Sequence, residues 1–349
     1  MSTVPQGKFR APLVDEAWLS RHTEPILEPD IPIIDPHHHL GFEGTNVQYL
    51  VPDVLRDMAS GHNVVASVFS DCRAHYRPDG PEHLRPVGET EFVAAEAEKH
   101  AKAHPHGIKL CAGIIGVADL TLGDRIQEVL EAHIEAGRGR FRGIRGHTHH
   151  DAEETVAGVN WPDRFLYEPK VREAIARLSA LGLVYESWLF HPQIPHLADL
   201  ARAQPQTTIV LNHCGGPLLT GRWAGKADEV YPVWKKAMQE LARCDNVHVK
   251  VGGLGTTTLG YKLWDRETPI SSDELAREWS RWIEPTIEMF GPRRCMFESN
   301  FPIDKRTVSY AVLWNAFKVL TKSYGKEEKA ALFSETAARV FRTGEGAAG

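Results

Sequence analysis

At 349 residues, 42% hydrophobic and 25% charged, the chain has the composition of an ordinary globule with enough apolar material for a large core. A formal charge of −6 and a pI near 6.3 argue against a nucleic-acid polyanion as the main partner. No run approaches the roughly eighteen apolar residues of a membrane span, and Met1 to Arg10 has no apolar targeting stretch, so a cytoplasmic protein with no membrane partner is expected.

The first strand-like run, Ile31–Leu40, ends in Asp35-Pro36-His37-His38-His39, an acid followed by three imidazoles. Strand periodicity places Asp35, His37 and His39 on one face and His38 on the other. Two neutral imidazoles one pleat apart can grip a borderline divalent cation such as zinc, whereas ions that prefer oxygen would call for carboxylates. A polar loop beside a proline is the plainer alternative. Further apolar, β-branched runs follow at Val64–Cys72, Ile108–Val117, Phe141–Arg145, Leu183–Phe190, Thr207–His213, Val247–Val251 and Arg294–Ser299, which makes eight in all. Helix-period segments alternate with them at Asp53–Ser60, Glu89–Ala103, Asp124–Ala136, Pro169–Ala180, Ile194–Ala203, Pro232–Ala242 and Ser272–Phe290, with Val308–Ser323 and Lys326–Phe341 after the last strand. This alternation predicts a single-domain (β/α)8 TIM barrel over residues 31–343, within the length such barrels reach with insertions. A doubly wound sheet is the second reading, but histidines stand where it would need a glycine-rich turn. Residues 1–30 are expected to pack on the barrel exterior or against another subunit, which leaves a homo-oligomer open, and residues 344–349 to form a flexible tail.

Five cysteines, odd in number and never in a Cys-x-x-Cys pattern, argue against a disulfide frame or a structural zinc site. Helix-to-strand connections are terse, as in Leu181-Gly182, while strand-to-helix loops are long, as in Arg73–Gly88, Gly146–Glu168, Gly215–Tyr231 and Gly252–Ser271. In a barrel the long loops build the C-terminal face, where active sites lie. The strand ends gather Asp71, Arg145 with His147, His149 and His150, Glu186 and His191, His213, His248 and Lys250, and Glu298 and Asn300 with Asp304 beyond. A Glu or Lys aimed into a barrel interior has to be paired, metal-bound or catalytic, although any one of these residues could equally be a salt-bridged or surface group.

Five stretches carry a family likeness: Ile34-Asp35-Pro36-His37-His38-His39-Leu40, Phe141-Arg142-Gly143-Ile144-Arg145, Val210-Leu211-Asn212-His213-Cys214-Gly215-Gly216-Pro217, Val247-His248-Val249-Lys250-Val251-Gly252-Gly253-Leu254-Gly255 and Cys295-Met296-Phe297-Glu298-Ser299-Asn300-Phe301-Pro302. In this order the chain resembles the amidohydrolase superfamily, in the amidohydrolase-related branch that holds sugar-acid and pyrone-dicarboxylate lactonases and, more distantly, carboxymuconate-semialdehyde decarboxylases. The resemblance implies a hydrolase whose His37 and His39 bind a divalent metal, zinc first and manganese second, with His213 orienting a carbonyl or water. Three departures stand out. Asn300 occupies the place of the usual metal-binding, proton-accepting aspartate. Tyr185-Glu186-Ser187-Trp188 lacks the usual histidine of the fifth strand, and Gly146 stands where relatives carry a histidine. Part of the branch works without metal, so a metal-free site remains open.

The expected chemistry is hydrolysis of a lactone or related carbonyl compound. His37, His39 and Glu298 would hold the metal, which lowers the pKa of water toward about 7. Asp304 or Asp71 would accept the proton, since an amide such as Asn300 can ligate weakly but is no base. His213 and Lys250 would stabilise the oxyanion. Arg145, His147, Trp188, His191 and Gln193 form the expected rim for a small, anionic or ring-shaped substrate. The rivals are a metal-independent lactonase, a metal-dependent decarboxylase of the same fold, and a non-catalytic binding protein.

Overall fold

The computed structural model describes residues 14–41, 49–153 and 160–344. Residues 1–13 and 345–349, which include much of the expected exterior segment and nearly all of the expected tail, lie outside the described residues. Eight parallel strands, β1 (Ile33–His38), β2 (Val64–Ser70), β3 (Lys109–Gly116), β4 (Phe141–His147), β5 (Val184–Trp188), β6 (Ile209–Leu211), β7 (Val247–Gly252) and β8 (Cys295–Glu298), form one sheet in sequential order. β8 returns to β1 through a parallel bridge between His38 and Phe301. Beside it the His39 amide donates to Phe301 O (2.8 Å) and the Asn300 amide to His37 O (2.9 Å). The expected TIM barrel is therefore present, and the bonds that close it run through the same residues that carry the first histidine motif.

A four-residue helix, α1 (Glu16–Leu19), precedes the barrel. The strands are followed in turn by α2 (Val51–Met58), α3 (Val87–Ala103), α4 (Ile126–Ala136), α5 (Pro169–Ala180), α6 (Ile194–Ala203), α7 (Ala227–Ala242), α8 (Ser272–Phe290) and α9 (Tyr310–Leu320). The predicted bounds of α5, α6 and α8 match those observed, because each begins at a clear start signal: Pro169, the Ile194-Pro195 pair, and Ser271, whose hydroxyl caps Glu274 N. α7 starts five residues before the predicted Pro232; its acidic first turn, Asp228 and Glu229, suits a helix N-terminus, and the helix continues through the proline. The predicted last helix, Lys326–Phe341, is divided into α10 (Lys326–Ala330), a π-helical turn (Ala331–Glu335) and α11 (Thr336–Phe341).

Two apolar layers support the site. Between strands and helices lies a large core that includes Trp234, Trp279, Trp282 and Trp314, all fully buried. Inside the barrel, Ile34, Ala66, Val68, Ile115, Val184, Val210 and Met296 pack against Ala337, Val340 and Phe341 of α11, which plug the N-terminal end. The Phe341 ring lies 5.2 Å below Lys250 Nζ, so the apolar plug is the floor on which the polar layer rests. All five cysteines are free and buried, in line with inert core thiols. Among the described residues no helix is long and apolar enough to cross a membrane.

α9 also holds the segment that precedes β1. Leu27 N–H donates to Asn315 Oδ1 (2.8 Å), while Lys318 Nζ donates to Leu27 O (2.7 Å) and Glu28 O (2.9 Å) and lies 2.8 Å from His62 Nδ1. Replacing Lys318 with Met keeps the apolar stem and removes these bonds. Lys318→Met is expected to lower the unfolding free energy by about 1–3 kcal/mol in urea titration; an unchanged midpoint would show that the segment contributes nothing to stability.

Candidate active site

β1 does not keep its alternation to the end. Its pairing with β2 shifts between Asp35 and His38, and this irregularity divides the expected face. The Asp35 carboxylate accepts from Tyr310 OH (3.1 Å) and Ser299 N–H (3.0 Å), toward α9, and burial raises its pKa to about 6. His37 instead turns into the barrel. Asp35 is thus a strut behind the site, which corrects the expectation that it shares a face with the two histidines.

Around His37 the inward positions of the other strands converge. Its Nδ1 lies 2.9 Å from Glu298 Oε2, 3.0 Å from Asn212 Nδ2 and 3.2 Å from Lys250 Nζ, and its Nε2 lies 3.1 Å from Arg145 NH1. Glu298 Oε1 accepts from His213 N–H (3.2 Å) and lies 2.8 Å from His213 Nδ1, so the carboxylate orients that imidazole and leaves Nε2 for a ligand. The turn after β7 makes room for the ring: Gly253 has φ +65°, and a Cβ there would collide with His213 Nδ1. His213 and Asn300 themselves take left-handed backbone angles, φ 53° and 54°, a strain often found where side chains are held for function.

Two buried ion pairs flank this centre. Lys250 Nζ donates to Glu186 Oε2 (2.6 Å), and Glu186 Oε1 accepts from Asn212 Nδ2 (2.8 Å) and Ser70 Oγ (3.3 Å). Arg145 Nε donates to Asp71 Oδ1 (2.6 Å) and its NH2 to Asp71 O, while His147 Nε2 lies 3.1 Å from Asp71 Oδ2. Burial alone would push the Asp71 carboxyl up, but the Arg145 guanidinium and then His147 overcome it and hold the group well below the carboxylate range. At neutral pH Asp71 is therefore a fixed anchor for Arg145 and His147 and a weak proton acceptor. Burial, with the Lys250 charge second, lowers the pKa of His37 well below the usual value. Burial also lowers that of His213, helped by Arg145 and Lys250, so both rings are neutral and can act as ligands.

Glu298 is different. Burial raises its pKa to about 8, with Lys250 only partly opposing, and its Oε2, although close to His37, has no hydrogen bond. His37, His213 and Glu298 each offer one donor atom, all within 4.8 Å of one another, and this trio fits a divalent ion: two imidazoles, one carboxylate and an unsatisfied buried oxygen. His213 thus joins His37 and Glu298 where His39 was expected. The His39 ring stands edge-on to His37 at 5.0 Å, its Nδ1 lies 2.8 Å from Ser70 O, and its Nε2 lies 3.3 Å from Asn300 Oδ1. Asn300 Nδ2 in turn donates to Asp304 Oδ1 (2.8 Å), and Asp304 Oδ2 accepts from Gly255 N–H (2.9 Å).

At the rim, Trp188 is half-buried, with its ring 4.7 Å from that of His213 and 6.0 Å from that of His149. Gly146 faces away from the axis, where a Cβ would come 2.5 Å from the Tyr185 hydroxyl, so a histidine at 146 would be expelled by Tyr185 and His147 is the inward residue of this strand tip. His191 and Gln193 bond within the loops. His191 Nδ1 accepts from Leu218 N–H (3.3 Å), while Gln193 donates to His150 O (3.1 Å) and accepts from His150 N–H (3.2 Å). Ser70 and Asn212 were missed in the sequence, although two-residue spacing from Val68 and Val210 would have placed both inward.

An eight-stranded α/β barrel whose carboxyl end gathers two imidazoles and a carboxylate within 4.8 Å of one another is the architecture of a barrel hydrolase. The chain belongs to the Amidohydrolase family, whose model matches residues 34–343, and it is a hydrolase of that family. An uncharacterised protein of Sinorhizobium fredii, y4mH, is 31% identical over 334 residues, covering 90% of this chain and 99% of that one. An L-fucono-1,5-lactonase of Burkholderia multivorans is 25% identical over 231 residues, 66% of this chain and 71% of that one. A solved amidohydrolase from Burkholderia multivorans with bound zinc superposes with a TM-score of 0.67 at 24% identity, over 89% of this chain and 99% of that one, which shows the shared fold.

Asp304 offers a test of this electrostatic picture. Burial raises its pKa to about 8, opposed first by the Gly255 amide. A folded-state value above the ordinary 3.8 means that its contribution to stability is fully present below that ordinary value and is lost as pH rises through about 8. In thermal melts the melting temperature of Asp304→Asn minus that of the unmodified protein is expected to rise by roughly 3 °C or more between pH 5 and pH 8. A constant difference would mean that Asp304 is not a buried, proton-holding carboxyl.

Proposed function

We propose that the protein is a metal-assisted hydrolase that opens a small lactone or related cyclic ester. The observation that carries this reading is the unsatisfied Glu298 Oε2 between two neutral imidazoles, His37 and His213, at the active end of the barrel. A divalent ion held by these three residues, zinc or manganese, would supply Lewis-acid polarisation of the carbonyl and a lowered water pKa. The chain's own groups do the rest. Lys250 and Arg145, which reach His37 at 3.2 and 3.1 Å, place positive charge beside the position where an oxyanion develops. His39 and Asn300 line the path from that centre to Asp304, which takes up the proton released by water. Trp188 offers a flat face to a ring-shaped substrate, and His147, held by Asp71, stands at the same rim with Arg145 to receive an anionic or hydroxyl substituent. The likeness to an L-fucono-1,5-lactonase supports a lactone as substrate.

One observation favours a second reading, a metal-independent lactonase: both ring nitrogens of His37 already face a donor from Lys250 or Arg145. There the two cations would polarise the carbonyl themselves.

Elemental analysis combined with a lactone-hydrolysis assay, before and after a chelator, separates the readings. The expected result is metal in the purified protein, activity lost on stripping and restored on refilling. His213→Ala is expected to lose more than about 100-fold, since removal of even an outer partner of a metal ligand costs about 10–100-fold. Full activity in metal-free protein would transfer the assignment to the second reading, and carbon dioxide release in place of acid production would transfer it to a decarboxylase.

A further inference from the structure

The peptide that joins Asp71 to Cys72 is held on both sides. Arg145 NH2 donates to its carbonyl, Asp71 O, and its amide, Cys72 N–H, donates to Glu89 Oε1 (3.1 Å). The same oxygen accepts from Ala74 N–H (2.8 Å), and the Cys72 thiol stands between Glu89 Oε1 (3.4 Å) and Leu40 O (3.0 Å), directly after the first histidine motif. Glu89 lies in the first turn of α3 and is buried. Its Oε2 is also buried and has no hydrogen bond, so the bonds this carboxyl makes go to the turn after β2. That turn takes left-handed backbone angles at Arg73 and His75, φ 61° and 53°. A Cβ at Gly88 would come 2.6 Å from both His75 O and Arg77 N, so the end of α3 seats on the turn with no room to spare.

Asp71 anchors Arg145 and His147, so whatever fixes the backbone of Asp71 also fixes where those two side chains stand at the rim. We infer that Glu89 is a positioning residue of this site: by accepting the Cys72 and Ala74 amides it keeps Asp71 where one carboxylate meets Arg145 Nε and His147 Nε2 together. Without that acceptor two buried amides lose their partner, and the turn has to move to satisfy them. His147 is released before Arg145, because Arg145 reaches Asp71 through both its carboxylate and its carbonyl and His147 through the carboxylate alone. Burial first and the Asp71 charge second raise the pKa of Glu89, so the acceptor is a neutral carboxyl that a carboxamide can replace. The inference rests on the hydrolase reading above for what Arg145 and His147 do there, and it adds the residue that sets their place.

The test reads His147 directly. Full-length protein, isotope-labelled at the histidine nitrogens, is compared by proton–nitrogen correlation spectra as the unmodified chain, Glu89→Gln, Glu89→Asp and Glu89→Ala, with His147 identified by its absence in His147→Gln and folding checked by circular dichroism. In the unmodified chain and Glu89→Gln, which keeps the acceptor oxygen at its reach, His147 is expected as the single tautomer with its proton on Nε2, facing Asp71. Glu89→Asp keeps the carboxyl but withdraws it by one methylene, and there, as in Glu89→Ala, the two tautomers are expected to mix. With D-glucono-δ-lactone as the probe, kcat/KM is expected to fall at least about tenfold in the Asp and Ala variants and to stay close to the unmodified value in Glu89→Gln. If Glu89→Ala does not fold, the Gln and Asp variants still decide. A His147 signal unchanged in Glu89→Asp or Glu89→Ala would overturn the inference, as would a Glu89→Gln that behaves like Glu89→Ala. No hydrolysis by the unmodified chain would count against the lactone reading alone, and the His147 spectra would still support or overturn the positioning role.

Discussion

The charged layer at the carboxyl end of this barrel depends on the pairing of Lys250 with Glu186 in a space closed to water. A lone ammonium or carboxylate at that depth would lose several kcal/mol of hydration without return. Together, and with Ser70 and Asn212 supplying the remaining hydrogen bonds, the two charges can stand directly above the apolar plug of α11. Everything nearer the mouth is arranged around this pair. Burial first and the Lys250 charge second lower the pKa of His37, and Lys250, against Glu186, partly offsets the cost of burying Glu298.

The Arg145–Asp71 pair repeats the solution one step higher, with His147 as a third member. Between the two pairs lies Glu298, whose second oxygen is unmatched. Asn212 Oδ1 shares this lack of a hydrogen bond, but Glu298 Oε2 is the carboxylate oxygen of the layer that lacks one, and it stands beside His37 and His213. The loops above extend the same logic outward: Asp151 accepts from Arg222 Nε (3.1 Å) and Trp223 Nε1 (3.0 Å), tying the long loops after β4 and β6 together over the rim.

The arrangement links His39 to Asp304 through the Asn300 amide. Asp304 is fully buried and bonded to the Asn300 amide, which faces His39. The Asp304 carboxyl thus stands one hydrogen bond beyond Asn300, further from the centre. Burial raises its pKa to about 8, opposed first by the Gly255 amide, so the group changes protonation state only a little above neutral pH.

Much of this was legible in the residues themselves. Alternation of β-branched runs with helix-period segments specified the barrel, because a helix and a strand each bury one face with a period that the side chains must obey. Long loops after strands marked the working face, and inward spacing brought Lys250, Glu298 and Arg145 to attention. Periodicity failed at Asp35, since a shift in register is a property of two strands and not of one. His213 could not be ranked above His39 as a partner of His37 either, because convergence of three strands on one point depends on barrel closure and on the room left by Gly253. Residue types and their spacing along each strand thus determined the fold and the chemistry available. Which charge meets which, and so which carboxylate remains for a ligand, was decided only by the tertiary structure, because buried electrostatics depends on distances between strands far apart in sequence.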